Sequence, residues 1–143
     1  MTTDRSLAGR LFWAGHANPG SVWTLIAAFP VLVLGVYRRD RRLLVAVALF
    51  AGLNPLVFPP PEDDSAWATR VVRGEQAWLD RGLASSPGDL LVLALGAPVV
   101  LFTLRAALRG RPARTALGTV ASLCAMGLFF RRMARLYERE AGG

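Results

Sequence analysis

The chain has 143 residues, of which 53% are apolar, so it is too short for more than one ordinary domain and unusually apolar for a soluble one. Its apolar residues cluster in long runs, which favour a bilayer over water as their solvent. The formal net charge is +7, and every basic residue is an arginine, mostly beside an apolar run. Anionic lipid headgroups are therefore the expected partner, and nucleic acid is not.

The first predicted elements are a surface helix and a membrane span. Residues 2–17 form a short, moderately amphipathic segment, which predicts a helix lying in the membrane interface. Asn18 and Pro19 predict the next helix start, because Asn is a favoured N-cap and Pro loses no hydrogen bond in the first turn. The span over residues 21–37 carries no charge, and Pro30 is expected to bend it.

A second span is predicted over residues 43–58, antiparallel to the first because the arginine-rich connection between them is short. Pro55 should release the carbonyl of Ala51 from its helical hydrogen bond. Asn54 is near enough to interact with that loosened backbone. The three prolines at 59–61 should then continue in an extended conformation.

A second interfacial helix is predicted over residues 66–81, with Asp64 or Ser65 as its N-cap. Trp67 and Trp78 share an apolar stripe with valines, while arginines lie towards the other side. The segment is too short and too charged to span a bilayer. We expect it to lie along the membrane, with its indole rings at headgroup depth.

Two further spans are predicted over residues 90–108 and 115–130, the second followed by an amphipathic tail. Gly118, Ser122 and Ala125 give the last span a small-residue face that could let another backbone approach closely. The predicted fold class is therefore all-α. It is a polytopic four-helix transmembrane bundle with one or two interfacial helices, in a single domain over residues 1–143. The arginines divide almost evenly between its two sides, so orientation is undetermined.

The candidate catalytic residues are His16 and the acidic cluster of Glu62, Asp63 and Asp64. A histidine with carboxylates can act as an acid–base pair or bind a divalent metal. These residues have no recognised ligand spacing, so no metal and no cofactor is predicted, and a solvated acidic turn is the competing interpretation. Further candidates for binding at the same side are Asn18, Trp23, Asn54, Trp67, Arg70, Glu75 and Trp78.

Several classes of chemistry lack their sequence signals. The predicted spans contain no Asp, Glu, Lys or His, which disfavours a proton-coupled transporter. The chain has no phosphate-binding loop and no nucleophile elbow. Cys124 is the only cysteine, which excludes an internal disulfide and a cysteine-based metal cluster.

Two motifs in the first half are HANPGSVWT at residues 16–24 and NPLVFPPP at residues 54–61, followed by Trp67, Arg70, Gly74-Glu75 and Trp78. In these motifs the chain resembles a family of small multi-pass prokaryotic membrane proteins with no assigned function. The resemblance implies a multi-pass membrane protein and supplies no activity, cofactor or catalytic residue. Gly20 stands where such proteins often carry a bulkier residue, which concerns the packing of the first span.

Three functional hypotheses follow. The leading one is a non-enzymatic membrane component, an accessory or oligomeric subunit with a second copy or another membrane protein as its partner. The second is an interfacial enzyme acting on a lipid or other amphiphile, which requires His16, the acidic cluster and Arg70 to converge. The third is a small transporter or channel, including a dimer of oppositely inserted copies.

Overall fold

A computed structural model of the protein describes residues 7–143, and the regular elements of that part are all helices, which confirms the all-α class. The predicted helix over residues 2–17 begins outside the described residues. A short 3-10 turn, Leu83–Ser85, precedes the fifth α-helix. The helices are α1 Leu7–His16, α2 Pro19–Arg38, α3 Arg41–Val57, α4 Trp67–Arg81, α5 Pro87–Leu108 and α6 Pro112–Ala141.

Three of these helices, α2, α5 and α6, are long and apolar enough to cross a membrane. Only 17–22% of their most apolar stretches is buried inside the chain, so most of this apolar surface faces outwards. Such surface is stable in lipid and would be a liability in water. The helix α3, predicted as the second span, has 17 residues and is shorter than these three. Its crossing of the membrane stays a prediction.

The last helix is longer than the predicted span over 115–130 with a separate tail. One continuous helix of 30 residues runs from Pro112 to Ala141. Its second half lacks proline and is rich in Arg, Leu, Ala and Glu, which are good helix formers, so nothing interrupts it after Phe130. At 1.5 Å per residue it is about 45 Å long, against a hydrocarbon core of about 30 Å. Its last turns therefore extend past any membrane that its apolar part crosses.

Local sequence explains the helix starts. Asn18 is the N-cap of α2 and accepts a hydrogen bond from Gly20 N at 2.8 Å, with Pro19 as the first helical residue, which confirms the prediction. Asp40 caps α3 in the same way, accepting from the backbone N–H groups of its first turn. The predicted N-cap of α4 is wrong: the cap position is Ala66, which makes no side-chain hydrogen bond.

Glycines set two close helix crossings. A Cβ atom on Gly74 of α4 would lie 1.9 Å from the carbonyl oxygen of Met133 on α6. A Cβ atom on Gly15 of α1 would lie 1.6 Å from the carbonyl oxygen of Pro55 on α3. Neither position has room for a side chain unless a backbone moves.

Two clusters of buried apolar residues lie at one end of the molecule, where α4 meets the start of α2 and the last turns of α6. One cluster is Ala17, Val22, Ala68 and Val72, and the other is Val71, Trp78, Met133 and Ala134. We call the region formed by residues 7–24, 54–89 and 129–141 the α4 end. The Trp78 side chain is 3% exposed and packs on α6, so it lies inside the chain, and its depth in a membrane stays a prediction.

Candidate functional site

Asn18 and Asn54, two of the predicted binding residues, join helices at the α4 end. Asn18 Nδ2 donates to the carbonyl oxygen of Pro59 at 2.9 Å. Asn54 is 2% exposed; its Nδ2 donates to Thr24 Oγ1 at 2.9 Å, and its Oδ1 accepts from the Ser21 hydroxyl. The expected interaction of Asn54 with its own helix backbone is thus replaced by hydrogen bonds to α2. Both amides are satisfied by the protein itself.

The acidic cluster is divided between solvent and structural contacts. Glu62 is exposed. Asp63 accepts from Ser65 N at 2.8 Å, and hydrogen bonding from Ser65 lowers the pKa of the exposed Asp63 carboxyl. Asp64 accepts from the Tyr137 hydroxyl at 2.6 Å. It also pairs with Arg73 at 3.3 Å, so this carboxylate holds the loop and α4 to α6.

Arg70 belongs to the same set of connections between α4 and the last turns of α6. Its Nε lies 3.2 Å from Glu138 Oε1, and its Nη1 donates to the carbonyl oxygen of Ser65. Arg81, a helical turn beyond Trp78, pairs with Glu140. Ion pairs and hydrogen bonds therefore join the polar face of α4 to the last turns of α6 along much of the length of α4.

His16 and Glu75 form the one close pair among the candidate titratable residues that faces a pocket. His16 Nε2 lies 3.9 Å from Glu75 Oε2, and the two side chains are 20% and 18% exposed. This distance is too long for a direct hydrogen bond. The other ring nitrogen, Nδ1, is buried and has no hydrogen-bond partner.

Burial controls the charge state of this pair. Removal from water raises the pKa of the Glu75 carboxyl to about 7. The same cause lowers the pKa of the His16 imidazole. Desolvation penalises the charged form of each group, so Glu75 is about half protonated at pH 7 and the neutral form of His16 is favoured there.

The pair opens onto an apolar pocket of about 240 Å³. Its remaining walls come from α2, α4 and α6: Val22, Leu25, Ile26, Val71, Val72, Met126 and Phe130. Two polar side chains that converge on an apolar pocket are the usual composition of a small-molecule site. The sequence does hold a signal for this arrangement, because Glu75 lies one turn after Val71 and Val72 on the buried face of α4.

The three tryptophans among the candidate binding residues differ in their surroundings. Trp23 and Trp67 stack with ring centroids 5.7 Å apart, and Trp23 is 54% exposed. Trp78 instead packs edge-on against Phe129 of α6 at 5.6 Å, with its indole N–H unpartnered. Only the first pair presents an aromatic surface to the surroundings.

Sequence reasoning missed two polar residues at the α4 end. Asp89, in the first turn of α5, is buried and accepts from the Ser86 hydroxyl and from Arg132 of α6. Tyr137 holds Asp64, as described above. The acidic residue in a first helical turn was a signal for Asp89, whereas no local pattern pointed to Tyr137. Within residues 7–143, no three His, Cys, Asp or Glu side chains gather as a metal site.

The fold and the site define a class of helical protein. Three of its helices are long and apolar enough to cross a membrane, and polar side chains gather around α4 at one end. The chain belongs to DUF6653, a family of unknown function, whose family model matches residues 4–143. No curated protein and no solved structure matches the chain.

Proposed function

We propose that the chain is a multi-pass protein of the prokaryotic cell membrane with a non-enzymatic role, as an oligomeric or accessory subunit. In this proposal α3 is a fourth membrane crossing beside α2, α5 and α6. The helices α1 and α4 lie at the interface on one side. The observation that carries the proposal is the use of two candidate side chains, Asp64 and Arg70, which hold α4 to the loop before it and to α6.

The contacts of two candidate side chains, Asp64 and Arg70, support the non-enzymatic role. Asp64 is occupied by Tyr137 and Arg73, and Arg70 faces Glu138. An interfacial enzyme would need such groups to converge on a reacting atom with free hydrogen-bonding capacity. These groups spend that capacity on joining α4 to α6.

The outer surface of α3 supports a fourth crossing. Within this helix only Asn54 and Pro55 are buried, while its large apolar side chains point outwards. They are Val45, Leu49, Phe50, Leu53, Leu56 and Val57. A helix of 17 residues is about 26 Å long, within the range that a thinned or locally adapted bilayer accommodates.

Two features support partners in the membrane. Gly52 on α3 and Gly127 on α6 have open space where a side chain would be, so another helix can approach their backbones closely. At the α5–α6 turn, Phe102 and four arginines line a small pocket of about 80 Å³. Arginine makes bidentate contacts with phosphate, which fits anionic lipid headgroups at this side. The arginines are Arg105, Arg109, Arg111 and Arg114.

Accessibility mapping tests the topology. In a Cys124→Ser background, single cysteines replace Asp40, Glu62, Gly110 and Gly142, and a membrane-impermeant thiol reagent is applied from one side. Four crossings place residues 62 and 142 on one side, with residues 40 and 110 on the other. If residues 40 and 62 react from the same side, α3 does not cross and the four-span arrangement is wrong.

Crosslinking in native membranes tests the subunit role. A discrete species larger than the monomer is expected, and Gly52→Leu or Gly127→Leu should weaken it because each blocks close helix approach. Val120→Leu is the matched control, an apolar change at an exposed position of α6. A strict monomer, with no partner recovered by crosslinking, would contradict this role.

A further inference from the structure

The proposed subunit role does not involve the pocket beside His16 and Glu75. Its volume of about 240 Å³ is far more than the space of one water, about 30 Å³ in the liquid. It also exceeds the roughly 150 Å³ of an engineered apolar cavity that binds benzene. The pocket can therefore hold an organic molecule with a ring or a short chain.

The two polar groups show where the polar end of such a molecule would lie. The separation of 3.9 Å between His16 Nε2 and Glu75 Oε2 leaves both groups without a direct bond to each other. One oxygen atom about 2 Å to the side of the line that joins these two atoms would lie about 2.8 Å from both, an ordinary hydrogen-bond distance. Because Nδ1 is also unpartnered, the imidazole has hydrogen-bonding capacity that the chain itself does not use.

The charge balance of the site selects the kind of polar group. Burial favours the uncharged forms of His16 and Glu75, so a charged ligand would have to reverse that preference. A carbonyl only accepts, so it serves both groups only when both donate to it, with Glu75 protonated and the ring proton of neutral His16 on Nε2. A hydroxyl accepts from one group and donates to the other, and it does so whichever of the two holds the proton.

The rest of the pocket is suited to an apolar body. Leu25 and Ile26 of α2 form one wall, and Met126 and Phe130 of α6 form another. Met and Phe side chains pack well on aromatic rings, and Met adapts to irregular shapes. These walls belong to helices that are long and apolar enough to cross a membrane, so a ligand dissolved in the bilayer would lie next to the pocket.

We propose that this pocket binds an uncharged amphiphile that carries one hydroxyl on an apolar body, with the hydroxyl bridging His16 and Glu75. The proposal does not depend on oligomeric state, since all of its residues belong to one chain.

The experiment exploits the fact that His16 is the only histidine. Protein labelled with 15N-histidine, in lipid nanodiscs, gives ring nitrogen signals from this residue alone. The probe is 4-propylphenol, and the matched ligand is propylbenzene, which has the same apolar body without the hydroxyl. We expect saturable shifts of the His16 signals with the phenol, at a concentration in the membrane about tenfold lower than with propylbenzene.

Variants distinguish binding through the hydroxyl bridge between His16 and Glu75 from general partitioning of the phenol into lipid. Glu75→Leu should reduce phenol binding to the propylbenzene level, whereas Glu62→Leu, on the exposed loop, should leave it unchanged. Met126→Trp, which fills the pocket and keeps both polar groups, is the second variant if Glu75→Leu does not fold, and it should abolish saturation. Equal shifts with both ligands, no saturation, or unchanged binding in the folded variants would each overturn the proposal. None of these results bears on the crosslinking test.

Discussion

The α4 end and the apolar middle of the molecule, formed by residues 90–104 of α5 and 115–128 of α6, are held together by different kinds of contact. At the α4 end, side chains from four helices, α1, α2, α4 and α6, meet in or against two buried clusters, and ion pairs and hydrogen bonds surround them. In the middle, α5 and α6 share one side-chain hydrogen bond, between Thr103 and Ser122 at 3.1 Å. There, large apolar side chains such as Leu95, Leu101 and Leu117 face outwards.

This difference shows which part of the fold the chain stabilises by itself. The α4 end buries its own apolar clusters and pairs many of its polar side chains within the chain, although His16 Nδ1, Arg70 Nε and Trp78 Nε1 are buried without a hydrogen-bond partner. The apolar middle leaves its surface for an external apolar solvent or partner, where helix association relies on close packing at small residues. Substitutions at the α4 end should therefore change stability in any medium, and those in the middle should depend on what surrounds the chain.

The largest effect is expected from Gly74→Ala at the crossing of α4 and α6. The added methyl would meet the Met133 carbonyl at 1.9 Å, which no side-chain rotation can relieve, so the helices must separate. We expect a loss of about 3 kcal/mol or more in the free energy of unfolding, at the upper end of overpacking costs. Thermal unfolding in one detergent measures it, as a fall in Tm of about 6 °C or more.

The matched control is Gly127→Ala, on the outer face of α6 in the apolar middle. The same methyl meets nothing within 4 Å there. Alanine is the better helix former by about 0.5–1 kcal/mol, so this variant should be equal to the wild type or slightly more stable. Equal losses at both glycines would mean that the crossing of α4 and α6 is not as close as the structure has it.

A second prediction concerns pH and the buried carboxyl of Glu75. Its pKa in the folded protein, about 7, lies above the ordinary value of 4.5, so folding favours its protonated form. The associated stability is fully present below about pH 4.5 and is lost as pH rises through about 7. The shift corresponds to about 3 kcal/mol. Glu75→Gln removes this dependence and should be more stable than the wild type at pH 8, by up to that amount.

Unfolding of both proteins across pH 4–8 tests this prediction. His16 faces Glu75 and has the opposite dependence: its pKa is lowered, so its protonation destabilises the fold as pH falls below 6.5. That effect remains in the Gln variant, and the difference between the two proteins isolates Glu75. Glu62→Gln on the exposed loop serves as the control and should follow the wild type. Parallel profiles for the wild type and Glu75→Gln would contradict a buried carboxyl.

A third prediction compares the loss of side-chain hydrogen bonds between helices in each of the two regions. Asn54→Leu removes hydrogen bonds with Ser21 and Thr24 and leaves the buried Ser21 hydroxyl without its partner, which should cost about 2 kcal/mol. Thr103→Val in the apolar middle removes the bond to Ser122 and should cost about 0.6 kcal/mol, the average measured between membrane helices. Chemical unfolding measures both, and a larger loss for Thr103→Val would reverse the contrast between the regions.

The sequence predicted much of the helical pattern, because apolar runs, the Asn18 cap and prolines act locally. It correctly indicated that the small face at Gly118 lets a backbone approach, and the approaching helix is α5 of the same chain, with Thr103 within 3.2 Å of an added Cβ atom. It did not predict that α6 continues to Ala141 or that α4 packs on it. That packing depends on contacts such as Asp64–Tyr137, which join residues far apart in the chain. For the same reason the sequence named Glu75 only as a further binding candidate, whereas the structure places its carboxylate 3.9 Å from His16.

The smallest effect is expected from the ion pair of Arg81 and Glu140 at the edge of the α4 end. Their side chains are 50% and 32% exposed, so water and salt screen the attraction. A double-mutant cycle with Arg81→Ala and Glu140→Ala should give a coupling below about 0.5 kcal/mol that disappears at high salt. The same cycle on Arg132 and the buried Asp89 should give a larger coupling that is less sensitive to salt, since the burial of Asp89 weakens the screening. If the two cycles agree, burial does not set the strength of these two contacts.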